Sequence, residues 1–494
     1  MPLCEGETTS YEAPWLNFTI PESDSNNFLK EEDDLAKCKM YRAVPGSTKC
    51  ERDSFDTNST VPCDRFVYDT SVFDETAVTV LDLVCENSYK ATFQDTVLML
   101  GLLAGSLIGG PLTDKIGRKK TLVIATGIIG PSTIIGGFAQ DYVAFSFFRF
   151  AAITGISVKW IAKHTLLMEL FDSKWRKLAY IISVAFYTPA SLIKPLIAYL
   201  ERDWKYMHLW AGLVALATLP LMAFCLLESI RWQILNGQEE NARKLLLSVA
   251  RINKGKELEE DASSEIERTI KAMAHKHSSS EGNPGNGKLS PRDMLRKRFI
   301  LRTLVTQSIW ITAVVSFYAI SLNATKLPGD VFLNNVYGIL SELPSMLMTY
   351  LLISLLGRRL AMVIALLISG VSIVTMAFVS KSHTTVILAL WLIGRIGSAC
   401  VMNVVWYYTA EIYPTNLRAQ AIATCSVIAR IFGAITPFIT SLNDYGEMIP
   451  FLVIGLPVVA AGLAAIALPE TKGQTLPDGM ETDGEGSLAH RNTD

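Results

Sequence analysis

The chain has 494 residues, of which 50% are hydrophobic and only 19% are charged, and its formal net charge is -2 at pH 7. A soluble chain of this length needs more polar surface, so the composition favours a membrane protein. The balanced charge and the short basic clusters exclude an extended face for nucleic acid.

The amino-terminal region, residues 1–88, is polar and reads as an extracellular domain. An odd number of cysteines in such a loop implies two disulfides with one thiol left over, or an intermolecular bond, and the pairing stays open. The candidates are Cys4, Cys38, Cys50, Cys63 and Cys85. Three Asn-X-Thr acceptors on the same predicted side predict glycosylation at Asn17, Asn58 and Asn323.

Eleven apolar segments then follow, each of about 20 residues and able to cross a hydrocarbon core of about 30 Å. They lie at 91–111, 121–138, 143–167, 178–200, 207–227, 299–322, 331–356, 361–379, 385–409, 418–441 and 448–468. Lysine and arginine concentrate in every second loop, which places those loops in the cytoplasm and residues 1–88 outside. The sequence therefore predicts a multi-pass protein, with the plasma membrane as its expected location.

The charged signatures around these segments repeat at an offset of about 240 residues. The segment 110–120 in the first half corresponds to 354–359 in the second half, and 227–232 corresponds to 468–473. Such a repeat indicates two related helix bundles, as in many transporters. The predicted domains are an extracellular Cys-rich domain, an N-terminal bundle, a cytoplasmic linker, a C-terminal bundle and a cytoplasmic tail, at 1–88, 89–227, 228–298, 299–468 and 469–494.

The two predicted bundles are unequal. Five spans precede the linker at 228–298 and six follow it. No apolar helix or signal peptide stands ahead of the outer domain. We therefore expect that a first helix is missing from this version of the chain.

Several motifs resemble those of a known family. Residues 110–120 resemble the loop signature of the major facilitator superfamily, and 82–85, 228–232, 406–415 and 468–477 resemble the organic cation, anion and carnitine transporters. The resemblance runs from Cys4 to Pro477. Two positions depart from the family pattern, because Ile230 replaces the usual proline and Lys159 stands where a small residue is common.

This resemblance implies an all-α polytopic membrane protein with the major facilitator fold. That fold has two bundles of six transmembrane helices each. About eleven of these helices are expected in this chain. In the family a first transmembrane helix precedes the Cys-rich outer loop. This agrees with the unequal halves.

Charges inside a membrane span are costly and are therefore candidates for function. Arg430 lies near the middle of its span and is a candidate group for a substrate carboxylate or sulfate, since family members that handle anions or zwitterions tend to carry arginine there. The alternative is a structural ion pair with Glu342, which lies similarly deep. Lys159 is a candidate for an anion pathway, or else extends to the inner surface and pairs with an acid.

Two aromatic residues, Trp310 and Tyr318, are expected to line the cavity, where they could hold a quaternary ammonium by cation–π attraction. The alternative is a role in helix packing or in an interfacial belt. The five candidates for substrate binding are therefore Arg430, Glu342, Tyr318, Trp310 and Lys159.

The cytoplasmic signatures predict a latch between the bundles, made of carboxylates, guanidinium groups and helix dipoles. Its expected members are Asp114, Gly117, Arg118, Glu169, Arg176, Glu411 and Arg418. Such a latch forms in the outward-open state and breaks in the inward-open state, so it governs rate and not substrate choice. Topogenic charge alone explains the basic residues but not the acids.

We therefore expect a secondary transporter of small organic ions that works by alternating access, with anions or carnitine-like zwitterions favoured over organic cations. A coupling ion (Na⁺ or H⁺) or an exchange anion and the lipid bilayer are the other expected partners. A non-transporting membrane protein on the same scaffold is the alternative from another class. The sequence shows no phosphate-binding loop, metal-ligand cluster or nucleophile signature, so we expect neither an enzyme nor a cofactor.

Overall fold

The computed structural model describes residues 19–21, 38–44, 52–63, 66–171, 173–254, 266–272, 300–380, 382–413, 415–442, 446 and 448–472. The first helices are α1 (Ala77–Val80), α2 (Ser88–Ile116), α3 (Arg118–Gly137), α4 (Tyr142–Leu170), α5 (Ser173–Glu201), α6 (Trp204–Cys225), α7 (Ile230–Leu235) and α8 (Glu239–Lys254). The later ones are α9 (Ile300–Leu322), α10 (Val331–Leu340), α11 (Glu342–Leu356), α12 (Arg358–Met376), α13 (Thr384–Ile412), α14 (Thr415–Gly433), α15 (Thr436–Ser441) and α16 (Met448–Ala464). The N-terminal half is α2–α6, and the C-terminal half is α9–α16.

Ten helices within the described residues are long and apolar enough to cross a membrane, where the sequence predicted eleven. The predicted span 178–200 forms α5, which is not among the ten. Several side chains of α5 lie outside the described part of the chain, so this span stays a prediction.

Two predicted spans are interrupted by a break. The span 331–356 divides at Ser341 into α10 and α11, and the span 418–441 divides after Gly433 into α14 and α15. Proline has no N–H, so Pro344 and Pro437 each leave the carbonyl four residues earlier without its helical donor. Those carbonyls belong to Leu340 and Gly433, the last residues of α10 and α14.

The outer region contains a small β-hairpin, which departs from the all-α expectation. Strands β1 (Lys39–Ala43) and β2 (Phe55–Pro62) pair antiparallel. A disulfide joins Cys38, just before β1, to Cys85, three residues before α2. The backbone N–H of Cys63 donates to the carbonyl of Cys38. Cys4 and Cys50 lie outside the described residues.

The segment 228–298 contains helices of its own. Helices α7 and α8 and a helical stretch at 266–272 form a small apolar core around Ile234, Ala242 and Ile270. This core sits after the N-terminal half and belongs to the segment 228–298 that was predicted to be cytoplasmic.

The two halves differ in how deeply their helices are buried. In the C-terminal half, α9 is central, and 67% of its apolar window is buried, with α13, α14, α15 and α16 packed around it. In the N-terminal half, only 6% of the window of α6 is buried, against 39% for its counterpart α16. The described part of the N-terminal half has no helix in the place that α9 takes.

The halves meet through the predicted outer parts of their helices. Thr96 on α2 donates its hydroxyl hydrogen to the carbonyl of Ala434, at the break between α14 and α15, over 3.2 Å. The ring of Phe332 on α10 contacts Tyr199 on α5 and Phe73 of the outer region. These contacts join the two halves and close the molecule on its predicted outer side.

Candidate substrate site and cytoplasmic charge clusters

A cavity of about 410 Å³ lies between the halves, below the Phe73–Phe332 contact. Helix α5 contributes Tyr187 and Lys194, and the C-terminal half contributes Glu342 and Arg395. Lys194 and Arg395 are basic and Glu342 is acidic, so the walls of this cavity offer both signs of charge.

Arg395 is the residue that sequence reasoning missed. It lies eleven residues into α13, so the criterion of depth that selected Arg430 also selects it. Its Nη2 lies 3.0 Å from Oε1 of Glu342. Its guanidinium also stacks on the ring of Phe317 at 4.1 Å from the centroid. The alternative pairing of Glu342 with Arg430 is therefore wrong, because Arg395 binds Glu342.

Arg430 and Tyr318 lie in the same region. Tyr318, on α9, has both Arg430 and Arg395 as electrostatic neighbours, together with Tyr187 of the other half. The guanidinium of Arg430 makes no ion pair with any described residue, and its Nε is buried without an acceptor. Glu342 and Tyr318 thus lie beside Arg395, and Arg430 lies near Tyr318, so three of the five predicted substrate residues share one region.

Trp310 lies elsewhere. Its side chain is only 1% exposed, in the core of the C-terminal half, and its indole N–H donates to Oγ1 of Thr409 over 2.9 Å. One ring edge contacts Trp406. The expectation that Trp310 lines the cavity is wrong, because it faces α13 within its own half. The alternative role in helix packing describes it.

Lys159 lies on α4 of the N-terminal half, outside the lining of this cavity. It is one helical turn from Lys163, whose ammonium lies 4.8 Å from the centroid of the Trp160 ring. Trp160 in turn contacts Tyr187 edge-on, which links this basic face to the cavity. Neither lysine forms an ion pair with a described residue. The acid partner expected in the alternative is therefore not found in this part of the chain.

A charge cluster joins three helices at the predicted cytoplasmic end of the N-terminal half. Arg118 is buried and binds both carboxylate oxygens of Glu169 through Nε and Nη2, each at 2.9 Å. Its Nη1 donates to the carbonyl of Thr113, and its Nη2 also lies 3.1 Å from Asp114. Helices α2, α3 and α4 are thus tied together at one guanidinium.

The start of α3 is held by an acid from the far end of the half. Helix α3 follows Gly117 at φ = 97° and has no side-chain cap of its own. The carboxylate of Glu228 instead accepts from the backbone N–H groups of Arg118 and Lys119. A Cβ on Gly117 would lie 2.5 Å from Glu228 Oε2, so the site requires glycine for space and for backbone conformation.

The C-terminal half repeats this arrangement. Arg358 binds Glu411, with Nε 3.0 Å from Oε2. Glu470 accepts from the N–H groups of Arg358 and Arg359 at the start of α12, after Gly357 at φ = 91°. Burial raises the pKa of Glu470, but the N–H donors of Arg358, Lys472, Thr471 and Arg359 outweigh it and hold the pKa below its usual value.

The predicted latch residues therefore lie within each half. Glu169 binds Arg118, and Glu411 binds Arg358 and not Arg418, seven residues later. Arg418 makes no ion pair with a described residue, and its Nε and Nη2 are buried without acceptors. Arg176 lies on α5, and its side chain falls outside the described residues. Glu228 and Glu470 lie in the repeated segments 227–232 and 468–473, but the sequence did not predict that they cap the starts of α3 and α12.

The glycosylation candidates have different surroundings. Asn58 is exposed on β2, whereas Asn323 lines a second cavity of about 420 Å³ under the outer region. Asn17 lies outside the described residues. No group of three or more His, Cys, Asp or Glu side chains suited to a metal ion occurs among the residues that the structure describes.

Known proteins resemble this chain over most of its length. Residues 57–481 match the family model described as "Sugar (and other) transporter". The chain is 27% identical to solute carrier family 22 member 6-B of Xenopus laevis, over 96% of this chain and 84% of that protein. It is 25% identical to organic cation/carnitine transporter 2 of Mus musculus, also over 96% and 84%.

Among solved structures, the inward-open xylose transporter XylE from E. coli has a similar fold. The TM-score is 0.60 at 18% sequence identity, and the match covers 81% of this chain and 92% of XylE. A second XylE structure, a partially occluded inward-open conformation, also gives 0.60, at 20% identity, with 79% and 90% covered.

Proposed function

The chain belongs to the sugar (and other) transporter family of the major facilitator superfamily, and from that premise we propose that it carries small organic anions across the membrane by alternating access. Relatives named as organic cation and as organic cation/carnitine transporters support organic ions as its substrates. Members of this family are membrane transporters and not enzymes.

The observation that carries the proposal is an excess of positive charge within the predicted membrane spans. Away from the ends of the predicted spans, each described carboxylate has an arginine partner: Asp95 has Arg149 at 3.6 Å and Glu342 has Arg395 at 3.0 Å. Lys159, Lys163 and Arg430 have no carboxylate partner among the described residues. Charges in a membrane interior require counter-charges, and an anionic substrate supplies one.

We assign the substrate anion to Arg395 together with Arg430, which both lie near Tyr318, and Arg430 is the one without a carboxylate partner among the described residues. Its Nε is buried and lacks an acceptor, and the phenol of Tyr318 lies near it. An organic cation fits this site less well, since the two deep carboxylates described here are already bound by arginines.

A carnitine-like zwitterion is the second candidate. Glu342 and Lys194 line one cavity together with Arg395, so opposite charges face the same space. A ligand with an ammonium and a carboxylate would find a partner for each group there.

We assign the alternation rate to the cytoplasmic charge clusters. Arg118 with Glu169, and Arg358 with Glu411, hold the predicted inner ends of each half as rigid units. The halves then rock against each other around the cavity between them. Contact between the two clusters would close the inner side.

Uptake by cells tests the proposal, with labelled benzenesulfonate, carnitine and tetraethylammonium as anion, zwitterion and cation. We expect benzenesulfonate uptake, and a fall of about 10- to 100-fold in apparent affinity in Arg430→Gln, the loss of one charged hydrogen bond of about 1.5–3 kcal/mol. The control is Lys244→Gln on the exposed face of α8, which should leave uptake unchanged. Tetraethylammonium uptake without benzenesulfonate uptake, at equal surface expression, would contradict the proposal.

A further inference from the structure

Arg395 is held in place by groups other than Glu342. Its Nη1 donates to the carbonyl of Phe317 over 3.3 Å and to the hydroxyl of Ser321, and its guanidinium stacks on the Phe317 ring. These contacts come from α9, whereas Glu342 comes from α11. If Glu342 left, Arg395 would keep its position and would present Nη2 to another acceptor.

Glu342 has access to the cavity. Its side chain is 28% exposed, against 11% for Arg395, and it lies in the first turn of α11, just after the break at Ser341. The titratable and charged groups around it are Arg395 of its own half, with Lys194 and Tyr187 from α5. Tyr318 of α9 lies near Arg395.

A carboxylate that leaves its arginine at this depth has few ways to remain charged. Lys194 is exposed on α5, across the cavity, and it forms no ion pair with Glu342. An isolated ionised carboxylate away from water is strongly disfavoured, and protonation removes that cost. A second anion that bound Arg395 would therefore favour uptake of a proton by Glu342.

We infer that Glu342 is the site of a coupling proton, which it takes up when the substrate anion replaces it at Arg395. This inference rests on the proposed transport of anions. Before binding, Arg395 is balanced by Glu342. After binding, Arg395 is balanced by the substrate, and neutral Glu342 carries the proton. The net charge of the site is the same in both states, so one monovalent anion and one proton cross together without net charge movement.

Purified protein in liposomes tests the coupling. With pH 7.5 inside, lowering the outer pH to about 6 should raise benzenesulfonate uptake by about fivefold or more. Benzenesulfonate stays ionised at both pH values, so neither its own protonation nor passive entry of an acid form explains such a rise. A pH-sensitive dye inside the liposomes should report acidification that depends on added benzenesulfonate.

Glu342→Gln separates coupling from a structural role. The variant should lose the pH stimulation and the acidification, yet keep at least half of the exchange of internal for external benzenesulfonate at equal pH. Glu342→Asp should keep the stimulation. The matched control is Asp95→Asn, which removes the acid of the other deep ion pair and should keep the stimulation ratio.

The outcomes are distinct. Stimulation that persists in Glu342→Gln, or exchange by the wild type without any effect of pH, would overturn the coupling site. Parallel loss of exchange and surface stability in both Glu342→Gln and Glu342→Asp, with the stimulation ratio of the residual uptake intact, would assign the pair a structural role instead. Absence of both uptake and exchange in the wild type would contradict the proposed function itself.

Discussion

At the scale of single residues, depth within a span correctly identified charged residues of the candidate site. The ion-pair partners of those residues could not be predicted in the same way. Arg430 and Glu342 were found because charge inside an apolar segment is costly, and Arg395 met the same criterion. Partners could not be predicted, since Arg395 and Glu342 are 53 residues apart, and Arg118 and Glu169 are 51 apart. Closeness in sequence favoured the pairs with Arg176 and Arg418, but helix packing decides which side chains meet.

Glu470 gives a pH dependence at this scale. Its pKa is lowered in the folded protein, so its contribution to stability is full above the ordinary value of 4.5 and is lost as the pH falls through the lowered value. At pH 7, Glu470→Gln should lower stability by about 0.5–2 kcal/mol, as loss of a helix cap does. The difference from wild type should shrink at acidic pH.

Thermal unfolding in detergent between pH 7 and pH 3.5 measures both effects. Glu267→Gln, on an exposed helical stretch of the linker, serves as a control with no capping role. A difference between wild type and Glu470→Gln that grows as the pH falls would contradict the assignment.

At the scale of elements, apolar segments predicted the helices well and their interruptions poorly. The breaks at Ser341 and Gly433 follow from Pro344 and Pro437, which were readable in the sequence but were absorbed into long apolar runs. The β-hairpin was missed because residues 1–88 are polar and carry no strong alternation. The starts of α3 and α12 could not be understood locally, since their caps come from Glu228 and Glu470, more than 100 residues away.

The two acids on Arg118 should differ in importance for how these elements hold together. Glu169 is 14% exposed and binds with both oxygens, whereas Asp114 is 75% exposed. Glu169→Gln leaves a buried guanidinium short of its partner and should cost about 3–5 kcal/mol, while Asp114→Asn should cost about 1 kcal/mol or less. Thermal unfolding and surface expression measure the pair, and equal losses would contradict this ranking of the two acids.

At the scale of the whole molecule, the repeat predicted the architecture. The family and the helical transporter fold predicted from the motifs are confirmed, while the count of eleven spans is not, because ten helices meet the criteria among the described residues. The domain boundaries and the roles of the site residues remain predictions. The conformational state of the molecule could not be predicted from the sequence, because closure of the predicted outer side depends on contacts such as Thr96 with Ala434, 338 residues apart.

Alternating access requires this outer seam to open. The double variant Thr96→Cys with Ala434→Cys places two thiols across it, and oxidation should reduce uptake about tenfold or more, with recovery after reduction. Each single variant should be insensitive to the same treatment, which controls for the native cysteines. Full uptake by a protein shown to be cross-linked would contradict a cycle that opens here.

The disulfide between Cys38 and Cys85 also determines which half of the molecule a probe attached to the hairpin would report on. It fastens the hairpin three residues before α2, while Glu75 binds Lys205 and the N–H of Asp74 donates to the carbonyl of Arg202 at the turn between α5 and α6. We therefore expect the hairpin to move with the N-terminal half. A fluorophore or an antibody fragment on its exposed face, near Asn58, would act as a pointer whose distance from the C-terminal half reports each turnover from outside the cell.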